Sequence, residues 1–163
     1  MLQKVVYLSL GSNLGERAAN LEAAIDRLGI LGEVVATSSF YETEPVEFTA
    51  QPWFLNCAVK LATEKMPRQL LQGVLGIETE MGRRRAQDKG PRIIDIDILL
   101  FGNSIVRAKG LTIPHGAMQA RRFVLEPLAE IAPEVRHPVL KRTMRELRDG
   151  LPAGPAVKRV SKL

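Results

Sequence analysis

Two stretches with the apolar periodicity of an α-helix, each flanked by segments with a β-strand pattern, constrain the fold of this chain most strongly. The resulting order, strand–helix–strand followed by strand–helix–strand, is the split βαβ arrangement of ferredoxin-like α+β folds. We therefore expect an antiparallel sheet with both helices on one face, and loops or a ligand on the other. Helices are predicted over residues 16–31 and 67–81, and strands over residues 5–10, 33–41 and 54–62 and around Asp95 and Asp97.

The remainder of the chain, from about residue 103, is expected to form a C-terminal helical extension of this fold. It contains predicted helices over residues 123–131 and 143–147. The proline-rich, basic tail after about residue 150 is expected to be loose. No internal repeat divides the sequence, so residues 1–163 are predicted to form a single domain.

Composition limits the cellular setting and the class of partner. Cys57 is the single cysteine, which excludes an intrachain disulfide and fits a reducing, cytoplasmic location. The apolar run over residues 5–10 is too short for a signal-peptide core, and no segment has the length of a membrane span. The net charge of +5 favours an acidic partner, such as a polyanionic substrate, a nucleic acid or an anionic surface.

The strand that carries Asp95 and Asp97 is the strongest chemical signal in the sequence. Because side chains alternate along a strand, both carboxylates lie on one face and Ile94, Ile96 and Ile98 lie on the other. Their Cα atoms are then roughly 6.5 Å apart, so both carboxylates can reach one cation or a close pair of cations. A solvated strand face is the alternative, but the apolar flanking residues favour a metal site.

A basic loop precedes this strand and contains Arg83, Arg84, Arg85, Lys89 and Arg92. Guanidinium groups bind phosphate oxygens through paired hydrogen bonds, and carboxylates hold Mg²⁺. Together the two sets of charges match a metal–polyphosphate complex. The chain has no GxxxxGK[ST] motif, so a nucleotide would be held by side chains and loops rather than by a P-loop.

Three further positions add to the pattern. Phe54 and Asn56 lie two residues apart on the second face of the third strand, where they could stack on and hydrogen-bond a flat heterocycle. Alternatively, Phe54 is an ordinary residue at the edge of the sheet and Asn56 is an amide close to a turn. Glu78 lies on the apolar stripe of the second helix, so it either faces inward with a donor or cation, or turns to solvent at the boundary.

Five segments of the chain resemble those of the 6-hydroxymethyl-7,8-dihydropterin pyrophosphokinase family of the folate pathway. The resemblance extends over nearly the whole length to about Pro138. The segments are LGSNLG at residues 10–15, FYETEP at 40–45, QPWFLN at 51–56, GPR at 90–92 with Asp95 and Asp97, and PH at 114–115 through RRFVLEPL at 121–128.

This resemblance implies a ferredoxin-like α+β fold and the transfer of an intact pyrophosphoryl group from ATP to the hydroxymethyl group of the dihydropterin, leaving AMP. It implies that Asp95 and Asp97 are ligands of two Mg²⁺ ions, and that Arg83 and Arg92 are catalytic and hold the polyphosphate. The partners of the chain are then expected to be small molecules, with no nucleic acid or membrane, and the chain is expected to be a monomer.

The remaining roles follow from the same resemblance. Thr43, Asn56 and the backbone near Val46 would hydrogen-bond the pterin, Phe54 and Phe123 would stack on its two faces, and Asn13 would support the pocket. The residues expected to bind ATP are Glu78, Arg83, Arg85, Arg92, Ile98, Thr112, His115 and Arg121.

Some positions depart from the family pattern. Lys89 stands where many relatives have an aromatic residue, Glu47 where glycine is common, and Gly110 where some relatives have an arginine near the adenosine. Two other functions fit parts of the sequence. One is a ferredoxin-like RNA-binding module, although its Lys/Arg-Gly-Phe/Tyr signature is absent. The other is a metal-dependent phosphohydrolase that uses the same aspartates.

Overall fold

The computed structural model describes residues 2–45, 50–82 and 91–160, and its secondary structure confirms the ferredoxin-like α+β class. Within these ranges, six strands form one antiparallel sheet and two short strands form a separate ribbon. The elements are β1 Lys4–Ser12, α1 Arg17–Leu28, β2 Glu33–Thr37, β3 Tyr41–Thr43, β4 Phe54–Thr63, α2 Pro67–Glu80, β5 Asp95–Phe101, β6 Val106–Ala108, β7 Leu111–Ile113, α3 Arg122–Ile131, α4 Met144–Asp149 and β8 Val157–Arg159. The sheet has the order β5-β1-β4-β3-β8, and β2 also pairs with β4.

The first face of the sheet is covered by α1 and α2, as the sequence pattern predicts. Alternate residues of β1, β4 and β5 meet the apolar stripes of the two helices in one continuous core. Complete burial of a leucine side chain in such a core contributes about 1.5–3 kcal/mol. The strand and helix residues that form the centre of this core are Val6, Leu8, Leu10, Leu21, Leu28, Cys57, Val59, Leu61, Leu70, Val74, Ile96 and Ile98.

The second face carries a core of its own, which corrects the expectation that only loops or a ligand cover it. Helix α3 buries Val124, Leu125 and Leu128 against Tyr7 and Ala58 of the sheet. Met144 and Leu147 of α4 complete the same cluster. The C-terminal extension therefore covers part of this face, and the rest of the face remains for a site.

A β-bulge at Leu99 decides which residues of β5 face each core. Tyr7 pairs with Leu100 and Leu8 pairs with Ile98, so Leu99 is an extra residue between the two pairs. One extra residue reverses the alternation of side chains along a strand. Ile96 and Ile98 therefore enter the first core before the bulge, and Phe101 enters it after the bulge.

Two boundaries differ from the sequence expectation. The predicted strand over residues 33–41 is divided into β2 and β3, because Ser38 interrupts the ladder and accepts a hydrogen bond from the N–H of Ala58 through its Oγ (2.8 Å). The sequence predicts a loose tail after residue 150, whereas Val157–Arg159 pair with β3 as a regular strand. In the described part of the chain, every helix is too short or too polar to cross a bilayer.

Candidate active site

Two cavities share Asp95 and Asp97 as a common wall. The first lies over the second face of the sheet, and the second lies beside the edge strand β5, next to α2 and residues 110–116. Both aspartates line both cavities, and Ile96 and Ile98 line the second cavity with them. Groups bound in the two cavities would therefore meet at these carboxylates.

The first cavity has the geometry of a site for a flat polar ring. Phe54 and Phe123 both line it, from β4 and from α3. Asn56 and Thr43 also line it, are buried, and are joined by a short hydrogen bond that the Asn56 amide donates to the Thr43 hydroxyl. This places two aromatic rings and two fixed polar groups around one space, as the sequence analysis predicts.

Gly11 of β1 is required by the close approach of Asn56. A Cβ atom at position 11 would lie 2.5 Å from Asn56 Oδ1 and 3.4 Å from Phe54 Cδ1. The side chains of Asn56 and Phe54 therefore occupy this part of the cavity only because position 11 of the neighbouring strand has no side chain.

Asn13 joins the two chain segments that border the first cavity. Its amide donates to Gln51 Oε1 (2.6 Å) and to the carbonyl of Pro52 (3.1 Å). Its Oδ1 accepts from the backbone N–H of Arg92 (2.7 Å), and its own N–H donates to the Arg92 carbonyl (3.0 Å). Asn13 thus fixes the backbone of Arg92 relative to the first cavity. This agrees with the supporting role that the resemblance implies for Asn13.

Arg92 extends along the first cavity towards the aspartates. Its Nη1 donates to Asp95 Oδ2 at 3.0 Å, and its guanidinium carbon lies 5.9 Å from the centroid of the Phe54 ring. The Nε atom is buried and meets no acceptor in the part of the chain that the structure describes. A buried donor without an acceptor costs about 1–3 kcal/mol, so an anionic ligand oxygen at this point would be favoured.

Glu78 of α2 faces inward, which resolves the two alternatives of the sequence analysis. The residue is 2% exposed, and its Oε2 accepts from the backbone N–H of Ile96 at 2.7 Å. Since β5 is an edge strand among the described elements, no neighbouring strand there satisfies that N–H. Glu78 therefore holds the backbone between Asp95 and Asp97 from the side of the second cavity, which it also lines.

His115 lines the second cavity in a neutral form. Burial lowers its pKa below the usual value, and the positive charge of Arg121 acts in the same direction, whereas Asp95 opposes it. The Nδ1 atom accepts from the N–H of Ala117 (3.2 Å), so the neutral ring carries its proton on Nε2. His115 can thus donate one hydrogen bond to a ligand without carrying charge.

The other residues assigned to the nucleotide divide between the two cavities. Ile98 and Thr112 line the second cavity with Glu78 and His115. Arg121 instead lines the first cavity, where its guanidinium carbon lies 5.6 Å from the Phe123 ring centroid. Val46, Arg83 and Arg85, and also Glu47 and Lys89, lie outside the described residues.

The carboxylates of Asp95 and Asp97 are oxygen donors of the kind that Mg²⁺ binds. Within residues 2–45, 50–82 and 91–160, no group of three or more His, Cys, Asp or Glu side chains is arranged to hold an ion. Mg²⁺ commonly binds through one or two carboxylates and completes its shell with water and substrate phosphates. Two carboxylates between two cavities fit that mode of binding.

Two residues of the site are not identified by the sequence pattern. Gln51 carries the shortest of the Asn13 hydrogen bonds, and Gly11 provides the space for Asn56. Both lie within segments that carry the resemblance, but nothing in local periodicity distinguishes them. Their roles depend on contacts with residues that are 38 or more positions away.

A family model and curated relatives both place the chain with pterin pyrophosphokinases. The sequence model of the 7,8-dihydro-6-hydroxymethylpterin-pyrophosphokinase family matches residues 7–133. A 2-amino-4-hydroxy-6-hydroxymethyldihydropteridine pyrophosphokinase of Methylorubrum extorquens is 47% identical over 131 residues, which are 79% of this chain and 83% of that protein. Its counterpart in Pseudomonas aeruginosa is 44% identical over 85% of this chain and 86% of that protein.

Longer relatives match as well. The folic acid synthesis protein fol1 of Schizosaccharomyces pombe is 41% identical over 92% of this chain, and the chain spans 21% of its length. Among solved structures, a crystal structure of Plasmodium falciparum HPPK-DHPS superposes with a TM-score of 0.76 at 20% identity, over 90% of this chain and 44% of that one. At this identity the superposition supports the fold alone.

Proposed function

The chain belongs to the 7,8-dihydro-6-hydroxymethylpterin-pyrophosphokinase family, and we propose that it transfers the pyrophosphoryl group of ATP to 6-hydroxymethyl-7,8-dihydropterin in tetrahydrofolate biosynthesis. The observation that carries the proposal is the pair of cavities that share Asp95 and Asp97 as a wall. A transfer between two bound substrates requires a point where both meet, and the aspartates lie at that point.

In this proposal the first cavity binds the pterin. The ring lies between Phe54 and Phe123, and the hydrogen-bonding edge of the heterocycle meets Thr43 and Asn56, with the backbone near Val46 as a further partner. The short bond between Asn56 and Thr43 fixes the orientation of both groups before the ligand arrives. Such preorganisation reduces the entropy lost on binding.

The second cavity binds ATP, with its phosphates directed towards Asp95 and Asp97. Ile98, Thr112 and the neutral His115 line the cavity, and His115 donates from Nε2 to a ligand oxygen. Arg92, Arg83, Arg85 and Arg121 are assigned to the polyphosphate. For Arg92 the support is its buried Nε, which has no acceptor among the described residues.

The reaction is an in-line displacement at the β-phosphorus of ATP. The hydroxymethyl oxygen forms a bond to that phosphorus, the bond from phosphorus to the oxygen that bridges to the α-phosphate breaks, and AMP leaves with the electron pair. The hydroxyl proton passes to Asp97 or to solvent. Two Mg²⁺ ions on Asp95 and Asp97 would neutralise phosphate charge and polarise the reacting phosphorus.

Most of the acceleration then comes from positioning and charge, since the protein has little covalent chemistry to perform. Asn13 and Glu78 hold Arg92 and the aspartate strand in place before either substrate binds. We further propose that the chain acts as a monomer in the cytoplasm.

The test is AMP formation from ATP and Mg²⁺ with and without the dihydropterin. We expect AMP only when the pterin is present, and loss of at least about 100-fold in turnover for Asp97→Asn, because a charge at the reacting centre is removed. Asp149→Asn, at an exposed end of α4, is the matched control and should retain full turnover.

Other outcomes identify the alternatives. Release of phosphate or pyrophosphate from ATP without pterin would indicate a phosphohydrolase. Salt-sensitive RNA binding without ATP turnover would indicate an RNA-binding module. The family membership and the relatives of 39–47% identity favour neither.

A further inference from the structure

The last described segment of the chain, residues 151–160, lies next to residues that line the first cavity, and it is outside the part that matches the family model, which ends at residue 133. We call this segment the C-terminal strap. It begins after α4, crosses the N-terminal end of α3 and ends as β8 beside β3. It therefore contacts two elements that carry proposed pterin-binding residues.

At its β3 end, the strap is held by backbone pairing. Thr43 faces Val157 in the β3–β8 ladder, and the N–H of Val160 donates to the Phe40 carbonyl at 2.8 Å. Next to Thr43, Glu44 is bonded in both directions: its N–H donates to the Ala156 carbonyl (3.0 Å), and its Oε1 accepts from the Ala156 N–H (3.2 Å). Thr43 belongs to β3, which forms one wall of the pocket. β3 is an inner strand of the sheet only because the strap pairs with its outer edge.

At its α3 end, the strap is held by a side chain. Arg122 Nη2 donates to the carbonyls of Leu151 (3.3 Å) and Pro152 (3.2 Å). Arg122 lies between Arg121 and Phe123, which both line the first cavity. This contact fixes the helix N-terminus from which the proposed stacking ring extends.

A third cavity lies between the two attachments. The strap and the α3 N-terminus line it together, and it shares Glu44, Arg121 and Phe123 with the first cavity. These three residues therefore have the pterin pocket on one side and the strap on the other. Pro152 and Pro155 restrict the backbone within the strap, so it holds a defined span between its two attachments.

We propose that the C-terminal strap sets the separation between Thr43 and Phe123, and thereby the affinity and selectivity of the pocket for the pterin. The inference rests on the proposed function, since it assigns the first cavity to that substrate. Among the described residues, the ATP cavity shares none with the strap or its cavity, and Arg121 is the one residue proposed for ATP that lines the strap cavity. The strap should therefore affect ATP binding much less than pterin binding.

The test compares two ligands in two strap variants. Arg122→Ala removes the attachment at α3, and a chain that ends at Gly150 removes the strap entirely. The dissociation constants of the dihydropterin and of a non-hydrolysable ATP analogue with Mg²⁺ are measured by calorimetry, together with the melting temperature. Arg145→Ala is the control, because it removes an arginine of α4 that forms an exposed ion pair with Glu134, and neither residue lines the strap cavity.

For Arg122→Ala we expect the pterin dissociation constant to rise about five- to tenfold, in keeping with the loss of two hydrogen bonds, while that of the ATP analogue stays within about twofold. Arg122→Lys, which keeps a donor, should recover part of the affinity. The shortened chain should show a larger loss for the pterin alone. Arg145→Ala should bind both ligands as the unaltered chain does.

Unchanged pterin affinity in Arg122→Ala would overturn the proposal whether or not the shortened chain folds. A parallel loss for both ligands together with a lower melting temperature would also overturn it, because the strap would then only stabilise the fold. If the unaltered chain binds the ATP analogue but no pterin, the proposed function fails as well. Pterin-dependent AMP formation with unaltered pterin affinity in the strap variants would leave the proposed function standing and reject this inference alone.

Discussion

At the scale of single residues, the site depends on a few side chains that fix the positions of others. Asn13 uses both its donor and its acceptor to connect Gln51 with the backbone of Arg92. Gly11 contributes by having no side chain, since Asn56 Oδ1 occupies the space that a Cβ would need. A small change at either position would be transmitted directly to residues proposed to meet a substrate.

Gly11→Ala should selectively impair the first cavity. The new methyl group would lie 2.5 Å from Asn56 Oδ1, so the amide must move away from its bond to Thr43. We expect pterin affinity to fall by at least about tenfold, because a buried polar group loses its partner, while the affinity for an ATP analogue is retained. Titration of both ligands by calorimetry measures this.

Gly76→Ala is the matched control for that substitution. Gly76 is an exposed position of α2, and a Cβ added there would meet no atom of the described residues within 4 Å. Alanine should therefore stabilise the helix by about 0.5–1 kcal/mol and leave pterin binding unchanged. Equal effects of the two substitutions on pterin affinity would contradict the role assigned to Gly11.

At the scale of elements, the relation between α2 and β5 decides the position of the aspartates. The edge of β5 away from β1 has no neighbouring strand among the described residues, and Glu78 supplies the acceptor for the Ile96 N–H. The bulge at Leu99 then brings the second half of β5 into register with the first core. A helix side chain and a strand irregularity together support the two carboxylates.

Glu78→Ala should loosen this support. The Ile96 N–H would lose its acceptor, so we expect the free energy of unfolding to fall by about 1–3 kcal/mol. Affinity for an ATP analogue should fall more than affinity for the pterin, since Glu78 lines the second cavity and not the first. Urea unfolding and calorimetry measure the two effects.

Glu78→Gln separates the hydrogen bond from the charge. Glutamine keeps an oxygen acceptor of the same reach, and it should recover most of the lost stability. If the glutamine and alanine variants are equally destabilised, the charge of Glu78 rather than its bond to Ile96 supports the strand.

At the scale of the whole molecule, two apolar cores lie on opposite faces of one sheet, and the C-terminal region closes the second. His137 belongs to this region and is 5% exposed. Its Nδ1 accepts from the N–H groups of Val139 (3.2 Å) and Leu140 (3.1 Å). Burial lowers the pKa of His137 below its usual value, so the folded chain favours the neutral ring that can accept these bonds.

This histidine makes stability depend on pH. Because its pKa is lower in the folded chain than in the unfolded chain, its contribution is present above the unfolded value near pH 6.5 and is lost as the pH falls. His137→Asn, which offers an amide oxygen in place of Nδ1, should reduce the loss of unfolding free energy between about pH 7.5 and about pH 5. Urea unfolding at both pH values measures it.

The unaltered chain and His137→Asn are compared by how much the free energy of unfolding changes between the two pH values. A moderate destabilisation by the substitution at both pH values therefore does not affect the comparison. His115, whose pKa is also lowered by burial, is present in both chains and contributes equally. An identical loss of stability in the two chains would show that other groups control the response to acid.

The sequence by itself determined the two helices of the first face, the main strands and the first half of β5, because all of these depend on local backbone periodicity. Residue spacing alone predicts helix α2, the core side of β4 and the shared face of Asp95 and Asp97. The roles of the site residues came from the resemblance to the family. The tertiary structure decided what no local pattern contains: the inward position of Glu78, the docking of α3 on the second face, and the pairing of β8 with β3. These depend on contacts between residues far apart in the chain, where closure of the intervening segments and the packing of many side chains choose the partner.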